Sequence, residues 1–170
     1  MLELRPLREA DFEALFGVAS DPLIWEQHPN SDRYKPDVFR KFFDKALASE
    51  GAFVVIDVRS REIIGSSRYY DLDLAKSEVA IGYTFLARKT WGSVYNREMK
   101  KLLLDHAFQS VDTVLFHIGE NNFRSRKAIE KIGAEKFSHI DSDSEIPGGP
   151  KSRSIVYRIR KQEWCPSDAR

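Results

Sequence analysis

The residues of this chain with the clearest capacity for chemistry lie at two predicted helix starts in its second half. The apolar run 81–86 is followed by the turn 91–96, Trp-Gly-Ser-Val-Tyr-Asn, and then by a helical pattern. Backbone N–H groups at such a helix start have no partner within the helix and can bind phosphate oxygens. A second helical pattern begins at Asn122, with Ser125 three residues later. This layout predicts a phosphate cradle for a nucleotide-bearing cofactor, with a second helix start nearby.

Apolar periodicity predicts the elements that hold these two helix starts. Alternating or continuous apolar runs predict strands over 2–6, 52–58, 63–70, 78–86, 113–118, 133–140 and 154–161. Helical spacing predicts helices over 8–20, 36–49, 96–109 and 123–132. Gly133 follows the last helix and is expected to adopt the left-handed conformation that ends it. The order of elements predicts an α/β or α+β fold, in which helices cover one sheet.

Composition excludes several classes of protein. The 170 residues are expected to form a single domain, 1–170. The 27 basic and 26 acidic residues give a net charge of +1, so we expect neither nucleic acid nor a membrane surface as a partner. Cys165 is the single cysteine and no segment resembles a signal peptide or a membrane span, which predicts a cytoplasmic protein. The sequence has no zinc-ligand spacing, no NTPase phosphate loop and no dinucleotide-binding glycine motif.

The order of elements and two motifs resemble the GNAT N-acetyltransferase superfamily. The branch that fits best contains ribosomal-protein N-terminal acetyltransferases and their small-molecule relatives. Its pyrophosphate loop, (Gln/Arg)-x-x-Gly-x-(Gly/Ala), commonly opens with Trp-Gly, which Trp91 and Gly92 match. Val94 and Asn96 stand where the family has glycine and glycine or alanine. The second motif, Asn-x-x-Ser followed by Glu-Lys-x-Gly, is present at the matching spacing over 122–133.

The resemblance implies a mixed, largely antiparallel sheet of about seven strands with about four helices. It also implies transfer of an acetyl group from acetyl-CoA, without a metal, to a primary amine that attacks directly in a ternary complex. The strand ending near Phe85 would splay from strand 113–118 at a bulge, and one N–H near Phe85 would face the thioester oxygen. The residues implied in cofactor binding are Phe85, Leu86, Ala87, Trp91, Gly92, Ser93, Val94, Tyr95, Asn96, Asn122, Phe123 and Arg126.

Two residues are the catalytic candidates. Relatives that use a tyrosine as general acid carry it at the position of Ile129, so the resemblance points to Ser125 as its replacement. The resemblance also implies that a carboxylate on strand 78–86 draws the proton from the amine. Glu78 is the candidate, because counting by two places it on one face with Gly82 and Thr84. Each has a plain structural alternative: a first-turn serine, and a glutamate at the surface end of a strand. Asn122 also fits a simple helix N-cap whose side chain binds a backbone N–H near Ser125.

Several alternatives remain open at this point. Other candidate bases are Glu26, His28, His117 and Glu120, of which His117 reads as a core histidine. A non-catalytic acyl-CoA-binding or sensor protein with the same fold is the second hypothesis, and an interaction domain unrelated to CoA is the third. The acceptor could be a protein N-terminus or a small-molecule amine such as a polyamine, an aminoglycoside or an amino-acid derivative. A free edge strand over 154–161 could pair two subunits into a homodimer.

Overall fold

A seven-stranded sheet flanked by four α-helices makes up the part of the chain that our computed structural model describes, residues 1–142 and 152–164. Its strands are β1 (Leu2–Pro6), β2 (Ala52–Asp57), β3 (Ile63–Asp73), β4 (Glu78–Leu86), β5 (Thr113–Gly119), β6 (Glu135–Ser142) and β7 (Ser152–Arg160). Its α-helices are α1 (Phe12–Ala19), α2 (Pro36–Ala48), α3 (Tyr95–Ala107) and α4 (Phe123–Glu130). The predicted order of strands and helices is confirmed.

The strands lie in the order β1-β2-β3-β4-β5-β7-β6. All neighbours are antiparallel except β4 and β5, which are parallel. β7 therefore lies inside the sheet. The expectation that 154–161 is a free edge strand is wrong, because β6 pairs with the side of β7 that faces away from β5.

The sheet separates two apolar cores. On one side, which we call the α3 face, buried residues of α3 and α4 pack against the sheet, among them Met99, Leu103, Leu104 and Ile129. On the other side, the α1–α2 face, the second core contains Leu15, Ala19, Phe39 and Phe43. None of the helices within the described ranges is long and apolar enough to cross a membrane.

Some element boundaries differ from the predicted ones. The first α-helix begins at Phe12 rather than at residue 8, after a 3-10 turn over Glu9–Asp11. The carboxylate of Asp11 accepts the backbone N–H of Arg8 at 2.8 Å and pairs with Arg5 at 2.7 Å, so Arg8 stays extended and the α-helix starts only after this turn. β3 continues to Asp73, and most of the predicted loop 142–152 lies outside the described residues.

β4 and β5 pair over three residues only and then diverge. The paired positions are Glu78 to Ala80 on β4 and 113–115 on β5, although β4 continues to Leu86 and β5 to Gly119. Tyr83 has a φ of +53°, and the register between β3 and β4 shifts at the same place. This β-bulge bends β4 away from β5. The predicted divergence is present, and it opens a space that we call the β4–β5 gap.

Candidate active site

The turn between β4 and α3 has the geometry of an anion cradle. Gly92 has a φ of +72°, a conformation that costs other residues about 1–2 kcal/mol. Val94 has a φ of −72°, so its branched side chain is compatible with the turn, and that side chain is 58% exposed. The backbone N–H groups of Gly92, Ser93, Val94 and Asn96 have no hydrogen-bond partner among the described residues. Because they lie at the start of a 13-residue helix, these amides fit a phosphate group.

Trp91 connects this turn to its surroundings. Its indole Nε1 donates to the carbonyl of Leu86 at 3.0 Å, and the hydroxyl of Ser93 donates to the carbonyl of Thr90. The guanidinium carbon of Arg124, in the first turn of α4, lies 3.9 Å from the centroid of the Trp91 ring system. Trp91 therefore holds the cradle against the end of β4 and against the start of α4.

Asn122 caps α4. Its Oδ1 accepts the backbone N–H of Ser125 at 3.2 Å, which confirms the predicted N-cap contact. The hydroxyl of Ser125 is partly exposed and makes no hydrogen bond within the described part of the chain. The guanidinium of Arg126 donates to the carbonyl of Glu120 at 2.7 Å and lies 5.3 Å from the centroid of the Phe123 ring, which is 56% exposed. The proposed cofactor contacts of Asn122, Phe123 and Arg126 stay predictions.

The end of β4 can offer only backbone groups to a ligand in the gap. The ring of Phe85 is buried on the α1–α2 face, 5.1 Å from the ring of Trp25, and Leu86 is buried on the α3 face. The N–H of Ala87 donates to the carbonyl of Ile64 at 2.8 Å. The amide near Phe85 that is expected to face a thioester stays a prediction.

A buried lysine lies at the β4–β5 gap, and sequence reasoning missed it. The Lys100 side chain is 5% exposed, and its Nζ donates to Thr84 Oγ1 at 3.1 Å on β4 and lies 5.2 Å from the Phe116 ring on β5. Burial lowers the pKa of Lys100 to about 7. The signal was the helical spacing, since Lys100 precedes Leu103 and Leu104 by three and four residues and shares their buried face.

The α1–α2 face of the gap carries aromatic rings and a guanidinium. The Tyr70 ring lies edge-on to the rings of Tyr83 and His117, at 5.1 and 5.7 Å. A Cβ atom at Gly82 would lie 2.8 Å from the Tyr70 ring, so glycine permits this ring to rest against β4. The guanidinium carbon of Arg68 lies 4.2 Å from the centroid of the Tyr83 ring. Tyr70 therefore reaches from β3 across β4 to β5.

Comparison with known protein families identifies the family of this chain. The sequence profile of the family described as "Acetyltransferase (GNAT) domain" matches residues 1–135, which extend from β1 to the first residue of β6. The chain belongs to the GNAT acetyltransferase family. The predicted family and fold class are thereby confirmed.

Solved GNAT structures share this architecture. A GNAT-family acetyltransferase from Bacillus anthracis is 21% identical, with a TM-score of 0.77 over 95% of this chain and 96% of that one. Spermidine N-acetyltransferase from Vibrio cholerae, solved with CoA and spermine, is 17% identical, with a TM-score of 0.71 over 95% and 96%. RimJ from Mycobacterium smegmatis, solved with CoA-disulfide, is 17% identical, with a TM-score of 0.73 over 95% and 83%. At these identities the likeness shows the fold.

Glu78, the predicted base of this GNAT chain, lies where β4 and β5 are still paired. Its carboxylate is 3.8 Å from the ammonium of Lys76. The expectation that Glu78 shares a face with Thr84 is wrong, because the bulge at Tyr83 turns Thr84 to the α3 face. Glu78 stays on the side of Gly82, and its catalytic role stays a prediction.

His117 and His28 differ sharply as alternative bases. The interpretation of His117 as a core histidine is wrong, since its ring is half-buried on the α1–α2 face against Tyr70. Burial lowers the pKa of His117, although the negative charges of Asp71 and Glu78 act in the opposite direction. The imidazole is therefore neutral at pH 7. In His28, Nδ1 faces the backbone N–H of Asn30 at 2.9 Å and Nε2 faces the guanidinium of Arg33 at 3.2 Å. Neither nitrogen of His28 is free to take a proton from a substrate.

The remaining candidates are acidic and exposed. Glu26 lies outside the core, where its charge acts on Arg124, and Glu120 follows the end of β5. Within residues 1–142 and 152–164, no three histidine, cysteine, aspartate or glutamate side chains are close enough together to hold a metal ion.

Proposed function

We propose that this GNAT protein transfers an acetyl group from acetyl-CoA to a primary amine, which attacks the thioester directly while both substrates are bound. The observation that carries the proposal is the β4–β5 gap together with the free amides of the turn that follows β4. An extended chain with amide groups can bond to strand edges in such a gap, and a pyrophosphate fits the start of α3. We further propose that residues 1–170 act as one domain.

Three groups of residues would hold acetyl-CoA, which is a substrate of the reaction. The amides of Gly92, Ser93, Val94 and Asn96, with Tyr95 and Trp91 shaping the turn, would bind the pyrophosphate. Backbone groups of Phe85 and Leu86 would bind the pantetheine amides, whereas the N–H and the carbonyl of Ala87 already bond to Ile64 and Thr90. Phe123 and Arg126, with Asn122 holding the helix start, would face the nucleotide end. Arg126 would bring a positive charge to a phosphate, since its hydrogen bonds within the described residues go to a backbone carbonyl and a tyrosine hydroxyl and not to a carboxylate.

The chemistry requires one proton to leave the amine and one to reach the thiolate. The amine nitrogen attacks the thioester carbon, a C–N bond forms and the C–S bond breaks. We propose that Glu78 accepts the amine proton, directly or through water, and that Ser125 donates a proton to the leaving thiolate. A backbone N–H near Phe85 would stabilise the negative charge that develops on the carbonyl oxygen, an effect of about 3 kcal/mol for one donor.

A second candidate function is acyl-CoA binding without catalysis. Ile129, which stands at the tyrosine position of some relatives, is buried in the α3-face core and cannot donate a proton. The cradle described above does not depend on Ile129, so binding without turnover would leave the same fold and the same amides.

Product analysis separates the two functions. The protein is incubated with acetyl-CoA and a panel of primary amines, and both free thiol and the acetylated amine are measured by mass spectrometry. We expect equal amounts of thiol and acetamide, and a strong loss of both in Gly92→Pro. Saturable binding of acetyl-CoA with no acetamide from any amine would favour the non-catalytic function, and absence of CoA binding would overturn both.

A further inference from the structure

A buried arginine lies at the point where the sheet opens. Arg68 of β3 is the Cα partner of Gly82 on β4, just past the last residue of β4 that pairs with β5. Its side chain is 7% exposed, and its guanidinium carbon lies 4.2 Å from the Tyr83 ring centroid and 5.6 Å from that of Phe42. Arg68 therefore lies on the α1–α2 face of the gap, between a ring of β4 and a ring of α2.

Within the described residues, the guanidinium of Arg68 has no carboxylate partner. Its Nε is buried and has no hydrogen-bond partner among the described residues. Burial lowers the pKa of Arg68. The group that raises this pKa in the opposite direction is the phenol of Tyr83 and not a carboxylate. Buried charged groups are ordinarily paired, because an unpaired one has lost its hydration without replacement. The partly buried Arg5, by contrast, is paired with Asp11 at 2.7 Å.

A second guanidinium lies against the same two rings. The Arg33 carbon is 4.6 Å from the centroid of Phe42 and 5.9 Å from that of Tyr83. Arg33 reaches this place from the segment before α2, whereas Arg68 reaches it from β3. Two cationic groups from different elements thus share one aromatic surface beside the gap. The positive charge of Arg68 at this surface attracts an anion and repels an ammonium group.

We infer that the acceptor amine carries a carboxylate, and that Arg68 binds it while the amine end points into the β4–β5 gap. This inference rests on the proposed acetyl transfer. The guanidinium has the fork geometry that matches a carboxylate, and the rings of Phe42 and Tyr83 offer an apolar surface to a carbon chain between the two ends. The acceptor class is accordingly an amino acid or amino-acid derivative rather than a polyamine.

Two series of acceptors test this directly. One series contains ω-amino acids of increasing chain length, and the other contains diamines with the same numbers of methylene groups. For each compound kcat/KM is measured from thiol release at saturating acetyl-CoA. We expect the amino acid to exceed the matched diamine by about tenfold or more at one chain length, since a site built around a buried charge rejects a ligand that leaves it unpaired.

Variants of Arg68 test whether this residue causes the preference for acceptors with a carboxylate. Arg68→Gln should remove the preference for the carboxylate by raising KM for the amino acids, and Arg68→Lys should restore part of it. The matched control is Arg40→Gln, because Arg40 also lies over aromatic rings, at 4.4 Å from Phe12, but is exposed and paired with Glu9. Affinity for CoA and the melting temperature are measured for each variant to show that it is folded.

The outcomes distinguish the inference from the proposed function. Diamines acetylated as fast as the amino acids by the parent protein, or an unchanged preference in folded Arg68→Gln, would overturn the inference and leave acetyl transfer standing. If Arg68→Gln does not fold, the comparison of the two series in the parent protein still decides. Transfer to no amine of either series, nor to any peptide N-terminus, would overturn the proposed function itself.

Discussion

The ammonium of Lys100 donates a hydrogen bond to Thr84 Oγ1 at 3.1 Å and lies between β4 and the Phe116 ring of β5. Both strands bound the gap, so this lysine is part of its wall on the α3 face. A hydroxyl and an aromatic face solvate an ammonium much less well than water does. Lys100 is therefore a source of instability that the fold tolerates beside its candidate active site.

Replacing this lysine should stabilise the protein in a pH-dependent way. The pKa of Lys100 is lowered to about 7, whereas in the unfolded chain it is ordinary. The destabilisation by the buried ammonium is largest at pH values below the pKa that Lys100 has in the folded protein. It disappears as the pH rises towards the pKa in the unfolded chain, because the unfolded state binds more protons between these two values. Lys100→Met should raise the melting temperature by at least about 5 °C near pH 6, and by much less near pH 9.5.

The neighbouring lysine is the control. Lys101 is partly exposed and paired with Asp105 at 2.5 Å. Lys101→Met should change stability little, and by a similar amount at both pH values. An equal effect of Lys100→Met at both pH values would show that its ammonium is not buried in solution.

The cradle can be tested with two glycines that share a backbone conformation. Gly92 and Gly133 both have positive φ, +72° and +91°, and an added Cβ would meet no atom within 4 Å at either position. Alanine at each should cost about 1–2 kcal/mol of stability. We expect only Gly92→Ala to weaken CoA binding in calorimetry, because only Gly92 lies in the cradle. Equal CoA affinity in the two variants would place the pyrophosphate elsewhere.

Ser125 offers a clean test of the proton donor. Its hydroxyl makes no hydrogen bond within the described residues, so Ser125→Ala should leave the fold and the affinity for CoA unchanged. If Ser125 protonates the thiolate, kcat should fall by about 10²-fold or more. Undiminished turnover would assign the proton to water or to another residue.

The pH dependence of turnover tests Glu78. Glu78→Gln keeps the size of the side chain and removes its basicity, so kcat/KM should fall and the acidic limb of the pH–rate profile should shift or vanish. The same substitution in His117, which is neutral at pH 7 on the same face of the sheet, provides the comparison. If the Glu78→Gln profile overlays that of the parent while the His117→Gln profile does not, His117 is the base.

Local sequence patterns predicted the helices and strands of this fold well. They failed for features that depend on residues distant in the sequence. The left-handed Gly133 and the Asn122 cap follow from the neighbouring sequence alone, and both are present. The bulge at Tyr83 breaks the two-residue alternation, so the face of Thr84 could not be counted from Glu78. The position of β7 inside the sheet depends on the pairing of β6, which no local pattern of β7 records.

The backbone part of the candidate site could be predicted from the sequence, but its buried charged side chains could not. The cradle at 91–96 follows from a strand, a turn and a helix in succession. Lys100 and Arg68 escaped notice because long charged side chains are ordinarily exposed, and their burial depends on rings contributed by β5, β4 and α2.

Amide hydrogen exchange tests whether acetyl-CoA occupies the β4–β5 gap and the turn that follows it. Exchange is followed by mass spectrometry with and without CoA, in the parent protein and in Gly92→Pro. We expect slower exchange over 81–87, 91–97 and 122–126 when CoA binds the parent, with no change over β1 and β2 and a much smaller effect in the variant. Protection confined to other segments, or no protection at saturating CoA, would contradict this expectation.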